Sequence, residues 1–167
     1  MRELQGVLSA LGRLLLCAIL LMAAIANKIP HFSDVAGLMG KKGIPAPEVL
    51  LVGAIVFLIV GGVSVVVGYQ ARIGAVLLFV FLVLATYYFH DFWNVNKERV
   101  LAENKEAAVL SDDAIQKMVG REQVDQMNNF LKNLSMMGAM LFILANGAGR
   151  WSVDAYLARQ PGTSPTT

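Results

Sequence analysis

The sequence predicts an all-α membrane protein: an antiparallel four-transmembrane-helix bundle. Three observations lead there. Four apolar stretches, about 7–26, 49–69, 73–89 and 134–148, approach the length of a membrane span. A helix needs about 20 apolar residues to cross a hydrocarbon core of ~30 Å. From Val49 to Ala71 no residue is charged. Charged residues make up 16% of the chain and hydrophobic ones 56%, where soluble domains carry ~25% charge. The missing charge is missing from the spans. Hydrocarbon forces every backbone polar group to find an internal partner, so the spans are read as helices.

The first span runs to Asn27-Lys28-Ile29-Pro30, where Pro30 stops simple continuation. Arg2, an apolar run and Ala24-Ile25-Ala26 resemble a secretory signal. A retained span is the favoured reading, because three more spans follow and Arg13 interrupts the would-be signal core. In the segment from His31 to Lys42, Phe32, Val35, Leu38 and Met39 recur at helical spacing, which predicts a short interfacial helix. A stiff connector, Gly43 to Pro47, leads to Glu48 and the second span. Only Tyr69 to Arg72 separates spans two and three, so they form an antiparallel hairpin. Span three ends in an aromatic cluster, Tyr87 to Trp93, typical of the membrane interface. Residues 94–129 are polar. Ser111, Asp112 and Asp113 mark a helix start there, and one or two surface helices are expected. The fourth span begins near Phe130 and ends before Gly147. The single membrane domain covers 1–158, and a Pro-, Thr- and Ser-bearing tail, 159–167, is predicted disordered.

Composition excludes several function classes. The net charge of +2 and scattered basic residues give no nucleic-acid surface. Cys17, the only cysteine, permits neither an internal disulfide nor a Cys-x-x-Cys motif. It is read as a packing residue. His31 and His90 are the only histidines, and no metal site is predicted.

Four spans put both termini on one side, with Arg2, Arg13, Arg72, Arg150 and Arg159. The other side has more basic residues, outnumbered by its acids and spread over a long segment. The arginines crowd the span ends, so the termini are placed in the cytoplasm and the protein in the inner or plasma membrane.

Polar residues at span ends gather on the opposite side. Asn27 and Lys28 leave span one and Glu48 opens span two. On span three, Tyr87, His90, Asp91 and Asn94 share one helix face; Asn129, Lys132, Asn133 and Met136 do so on span four. Charges near hydrocarbon are costly and tend to face inward and pair. Lys28 or Lys132 with Asp91 or Glu48 would form such pairs, His90 would move protons near neutral pH, and the short interfacial helix would act as a lid. These groups, with Asn27, Tyr87, Asn94 and Asn133, are the candidate ligand-binding residues. The competing reading is plain anchoring, since lysines near span ends snorkel to headgroups. Arg13 and Arg72 are read as headgroup contacts. Gly61-Gly62, Ser135 with Ala139, and Ala145 with Gly149 are read as close-packing positions.

Several pieces in order carry a resemblance. They are Gly12-Arg13-Leu14-Leu15-Leu16, Asn27-Lys28, Lys42 to Pro47, Gly61-Gly62, His90-Asp91-Phe92-Trp93, Phe130 to Leu134, and Gly149 to Asp154. With these the chain resembles the DoxX family of small four-helix membrane proteins. The resemblance implies a membrane subunit of a thiosulfate:quinone oxidoreductase or a companion of other redox enzymes, with quinone as the cofactor to expect. More distant relatives imply an assembly factor. Family members often carry a glutamate three positions before the Gly-Gly of span two, where this chain has Leu58; the resemblance therefore does not carry that acid's chemistry here. The 94–129 segment also exceeds the compact family pattern.

The leading expectation is an accessory, non-catalytic membrane subunit of a redox system with a small-ligand pocket at one end of the bundle. The alternative is a non-enzymatic assembly factor that docks a protein partner on 94–129. Transport is disfavoured, because no span is broken by proline and spans two to four hold no deep charge.

Overall fold

The computed structural model describes residues 2–103 and 110–160. Residues 104–109 of the polar insertion and 161–167 of the tail lie outside it, and so does most of the tail expected to be disordered. Among the described residues all regular structure is helical. Two compact units divide the chain: Met1–Phe81 with Met137–Thr167, and Leu82–Met136.

In the first unit, α1 (Arg2–Met22) continues without a break into a π-helical turn, Ala23–Lys28. Arg13, Cys17, Leu20 and Ala24 form its buried face, at the 3- and 4-residue steps of a helix. Leu8, Leu11, Leu15, Ile19 and Met22 are exposed. After Pro30 comes α2 (Phe32–Lys41), the short helix expected there. It buries Ala36 and Met39.

Next comes α3 (Pro47–Val67), which starts with proline in its first turn, where no amide hydrogen is needed. Gly68 ends it in the left-handed region at φ 74°, with its N–H donated to the Ser64 carbonyl at 2.9 Å. Gln70, also at positive φ, completes the turn into α4 (Ala71–Phe89). The hairpin expected from the short connection is therefore present.

Glycines let these helices approach. A Cβ on Gly61 would sit 3.0 Å from the Gly74 carbonyl oxygen, and one on Gly74 would sit 2.8 Å from that of Gly61. Gly62 lies against Leu21 of α1 in the same manner. The close-packing role read from Gly61-Gly62 is thus present.

Three helices are long and apolar enough to cross a membrane: Glu3–Lys28, Pro47–Val67 and Ala71–Asn94. Their outward residues are large and apolar. Leu15 is 73% exposed and Val49 71%, which suits hydrocarbon and not water.

The expected fourth span falls in α6 (Asp112–Asn146), a single 35-residue helix. Here the structure departs from the sequence reading in form. The surface helix and the last apolar run are continuous, because only the isolated glycines Gly120 and Gly138 interrupt them and an isolated glycine does not end a helix. Asn129, Lys132, Asn133 and Ser135 dilute the apolar run, so α6 does not read as a span by composition alone.

The second unit holds the end of α4, a 3₁₀ turn at Phe92–Asn94, α5 (Lys97–Glu103) and the first part of α6. Val95, Val100 and Ile115 are its small apolar core. Phe92, Trp93 and Phe130 pack edge to face, with centroids 5.0 to 5.9 Å apart. Ser111 opens α6 as expected, accepting from the Ala114 amide at 3.4 Å.

Lys97 ties α5 to the start of α6 through Asp112 at 2.5 Å. That hydrogen bond, then the charge of Lys97, holds the Asp112 carboxyl below its ordinary value. The folded form therefore favours the ionised acid. The contribution is complete above the unfolded carboxylate value of ~3.9 and fades as pH falls through the lower folded value. A ¹³C titration of Asp112 is expected to give a midpoint below that of the same residue in Lys97→Met. Equal midpoints would remove the ion pair from the account.

Candidate functional site

The predicted polar residues fall into two groups, one in each unit. In the first unit Lys28 ends the π-helical turn. Wider i→i+5 turns are rare and recur at functional sites. Its Nζ stands 5.5 Å from the centre of the Phe81 ring, a cation–π arrangement. Lys28 is half-buried, and among the described residues no carboxylate pairs with it. Asn27 beside it is exposed. Glu48 is exposed at the mouth of a cavity of about 310 Å³ beneath α2, bounded also by Phe32, Ala36, Gly37 and Pro47. The ion pair expected between Lys28 and Glu48 is not formed. The two sit on different helices, and Glu48 faces α2.

In the second unit the polar groups are connected. The Nδ1 of His90 lies 2.8 Å from Oε1 of Gln126, and Nε2 of Gln126 donates to Glu122 at 2.7 Å. With the Gln126 amide so oriented, Nδ1 of His90 is the donor. Asp91 accepts from Arg99 at 2.8 Å and from Asn94 at 3.2 Å. Asn133 is 5% exposed and donates to the Thr86 hydroxyl at 3.0 Å. Such interhelical bonds contribute ~0.6 kcal/mol on average in membranes. Lys132 is exposed and bonds Asn129 at 2.7 Å, while Tyr87 is exposed and packs against Tyr88. Lys132 thus faces outward, the position of an anchoring lysine.

The spacing of Glu122, Gln126, Asn129 and Asn133 follows one face of α6, so the face found at Asn129 extends about two turns earlier. Gln126 and Glu122 give no signal in the sequence, because the surface segment reads there as separate from the span. Arg99 was missed because an arginine in a polar segment carries no signal of its partner.

The largest correction concerns Arg13. It is 4% exposed and does not reach headgroups. Its Nη1 donates to the carbonyls of Val65 and Val66, each at 3.0 Å, in the last turn of α3. Its Nη2 donates to the Trp151 carbonyl. The charge sits where a helix C-terminus presents partial negative charge and unpaired carbonyls.

Around it the C-terminal segment forms a strap. The Asp154 carboxylate accepts from the Gln70 amide at 2.9 Å and the Ala71 amide at 3.4 Å, so it caps α4 from a distance in sequence. The Asp154 amide donates to the Gly68 carbonyl at 3.0 Å. Ser152 caps α7 (Val153–Leu157), Trp151 donates to Glu3 at 3.1 Å, and Ser9 donates to the Ala148 carbonyl at 3.1 Å. Arg72 also bonds backbone, the Ala145 carbonyl at 3.4 Å, and remains exposed. Cys17, one turn from Arg13, is fully buried, as a packing residue would be.

The DoxX family model matches residues 8–91, half of the chain, from α1 through α4 and including Arg13, Lys28 and His90. The chain belongs to the DoxX family. Searches of curated proteins and of solved structures find no match. DoxX membership joins the three apolar helices in describing a membrane protein.

Proposed function

We propose that this DoxX protein is an accessory subunit of a membrane redox system, not catalytic by itself, and that it binds a small lipid-soluble or sulfur-containing ligand through Lys28. The observation that carries this reading is Lys28 itself. A cation ends the first membrane-spanning helix against an aromatic face, with no counter-charge among the described residues. An unpaired ammonium beside hydrocarbon is costly, and an oxyanion or a polarised carbonyl oxygen would offset that. His90, held by Gln126, and Asp91, held by Arg99, are polar groups that such a protein would use for proton exchange.

The proposal includes four spans with both termini in the cytoplasm of an inner or plasma membrane. The strap supports the fourth span. Asp154 bonds to the α3–α4 turn, and the Trp151 carbonyl accepts from Arg13, which also bonds the last turn of α3, so both share that side of the membrane. Leaving that turn, α4 and the 3₁₀ turn after it make a full span, Ala71–Asn94. The chain therefore crosses once more to reach Trp151. At 1.5 Å per residue α6 is ~52 Å long, ample for the crossing.

Purified protein in mild detergent is expected to gain thermal stability on adding a short-chain quinone or thiosulfate, and Lys28→Met is expected to lose that gain. If parent and variant respond alike to both, ligand binding at Lys28 is wrong. Co-purification of a protein lost on removing 112–126, with no ligand response, would instead establish the docking reading.

A further inference from the structure

The first unit carries a groove that is independent of the Lys28 reading. It opens between α3 and α4 near their connecting turn, at the opposite end of α3 from Glu48, and has a volume of about 620 Å³. Its floor is made by two small residues, Gly74 and Ser64. Gly74 presents no side chain because the Gly61 carbonyl and Ser64 already fill the space a Cβ would need. The Ser64 hydroxyl is folded away onto the Tyr69 carbonyl at 2.6 Å, so the floor offers no free polar group. The ridges are Val60 and Val63 on one side and Ile73 and Leu77 on the other. Val60 is 53% exposed and Ile73 57%.

One end of the groove is polar. Tyr69 and Gln70 line it there, both exposed, and the Tyr69 hydroxyl and Gln70 side-chain amide bond no other described residue. Interfacial tyrosines sit at headgroup level with their rings toward the acyl region. Both walls belong to membrane-spanning helices, so the medium that meets this trough is lipid.

We infer that the groove is a binding site for one glycerophospholipid, with an acyl chain laid along the Gly74–Ser64 floor and its ester and phosphate oxygens at Tyr69 and Gln70. A smooth helix pair would meet fluid lipid without preference. A trough with a small-residue floor, apolar ridges and two donors at its interfacial end fixes one chain in one register.

The test is lipid retention. The protein is reconstituted in dioleoylphosphatidylglycerol vesicles, extracted into mild detergent and examined by native mass spectrometry. The parent is expected to keep a one-lipid adduct. Filling the trough from its exposed rims with Val60→Phe and Ile73→Phe is expected to abolish that adduct. The same enlargement outside the groove, Val56→Phe with Val76→Phe, is expected to leave it. Tyr69→Phe with Gln70→Gly, the glycine suiting the positive φ at that position, is expected to weaken it. The inference is overturned if the parent holds no lipid, if the filled variant holds as much as the parent, or if the two enlarged pairs lose it equally. Unchanged retention in the Tyr69/Gln70 variant would overturn the headgroup assignment.

Discussion

Replacing Arg13 with methionine is expected to remove about 3 kcal/mol or more of folded-state stability, with a matching fall in the yield of monodisperse protein. Methionine keeps the apolar stem but strands three carbonyls, those of Val65, Val66 and Trp151. The Val65 bond is buried and the other two are part-buried; a fully buried acceptor left unpaired costs ~1–3 kcal/mol and a part-buried one less. Arg13→Lys should recover part of the loss, since an ammonium retains the charge but not the planar fork that serves α3 and the strap together. Thermal unfolding in detergent reads the series, and the expected order is parent, lysine, methionine. A methionine variant as stable as the parent would show that the guanidinium is an interfacial anchor, as the sequence first indicates.

The second large effect is expected at Gly68. Valine there meets two independent obstacles. The backbone at φ 74° disfavours a β-branched residue by ~1–2 kcal/mol. Its Cβ would also collide with Ser152, the Arg13 guanidinium and Ala148, the last at 3.1 Å. Overpacking of this kind adds ~1–3 kcal/mol. A combined loss of about 3 kcal/mol is expected, and proteolysis should cut the C-terminal segment after Gly147 first. Gly120→Val is the comparison, since a Cβ at Gly120 meets nothing within 4 Å. If both valines unfold at the same temperature, the strap does not hold the turn.

Much of this architecture is legible in the residues. Long apolar runs, the first broken only by Arg13, identify three spans; Pro47 and Gly68 bound α3, and Ser111 with two aspartates starts α6. What cannot be read is partnership across long sequence separations. Arg13 and Trp151 are 138 residues apart, and nothing in either neighbourhood names the other. An arginine near a span end follows the pattern of a headgroup ligand equally well. Burial alone separates the two roles. The same holds for Asp91, whose partner Arg99 sits in a segment that looks featureless, and for His90, which reaches Gln126 on a helix assigned to the surface. The place of Lys28 at the end of the first apolar helix is legible, because a charge at the last turn of an apolar run is conspicuous by itself.

The strap has a consequence for biosynthesis. Ribosomes deliver the chain from the amino end, so Arg13 enters the translocon long before Trp151 and Asp154 exist. Through most of translation the guanidinium has no finished receptor, and the α3–α4 connection lacks its distant acidic clamp. Nascent chains halted before Gly147 are therefore expected to be recognised by membrane proteases, whereas those released beyond Leu157 escape. Completion of the polypeptide is the event that commits it to its mature form.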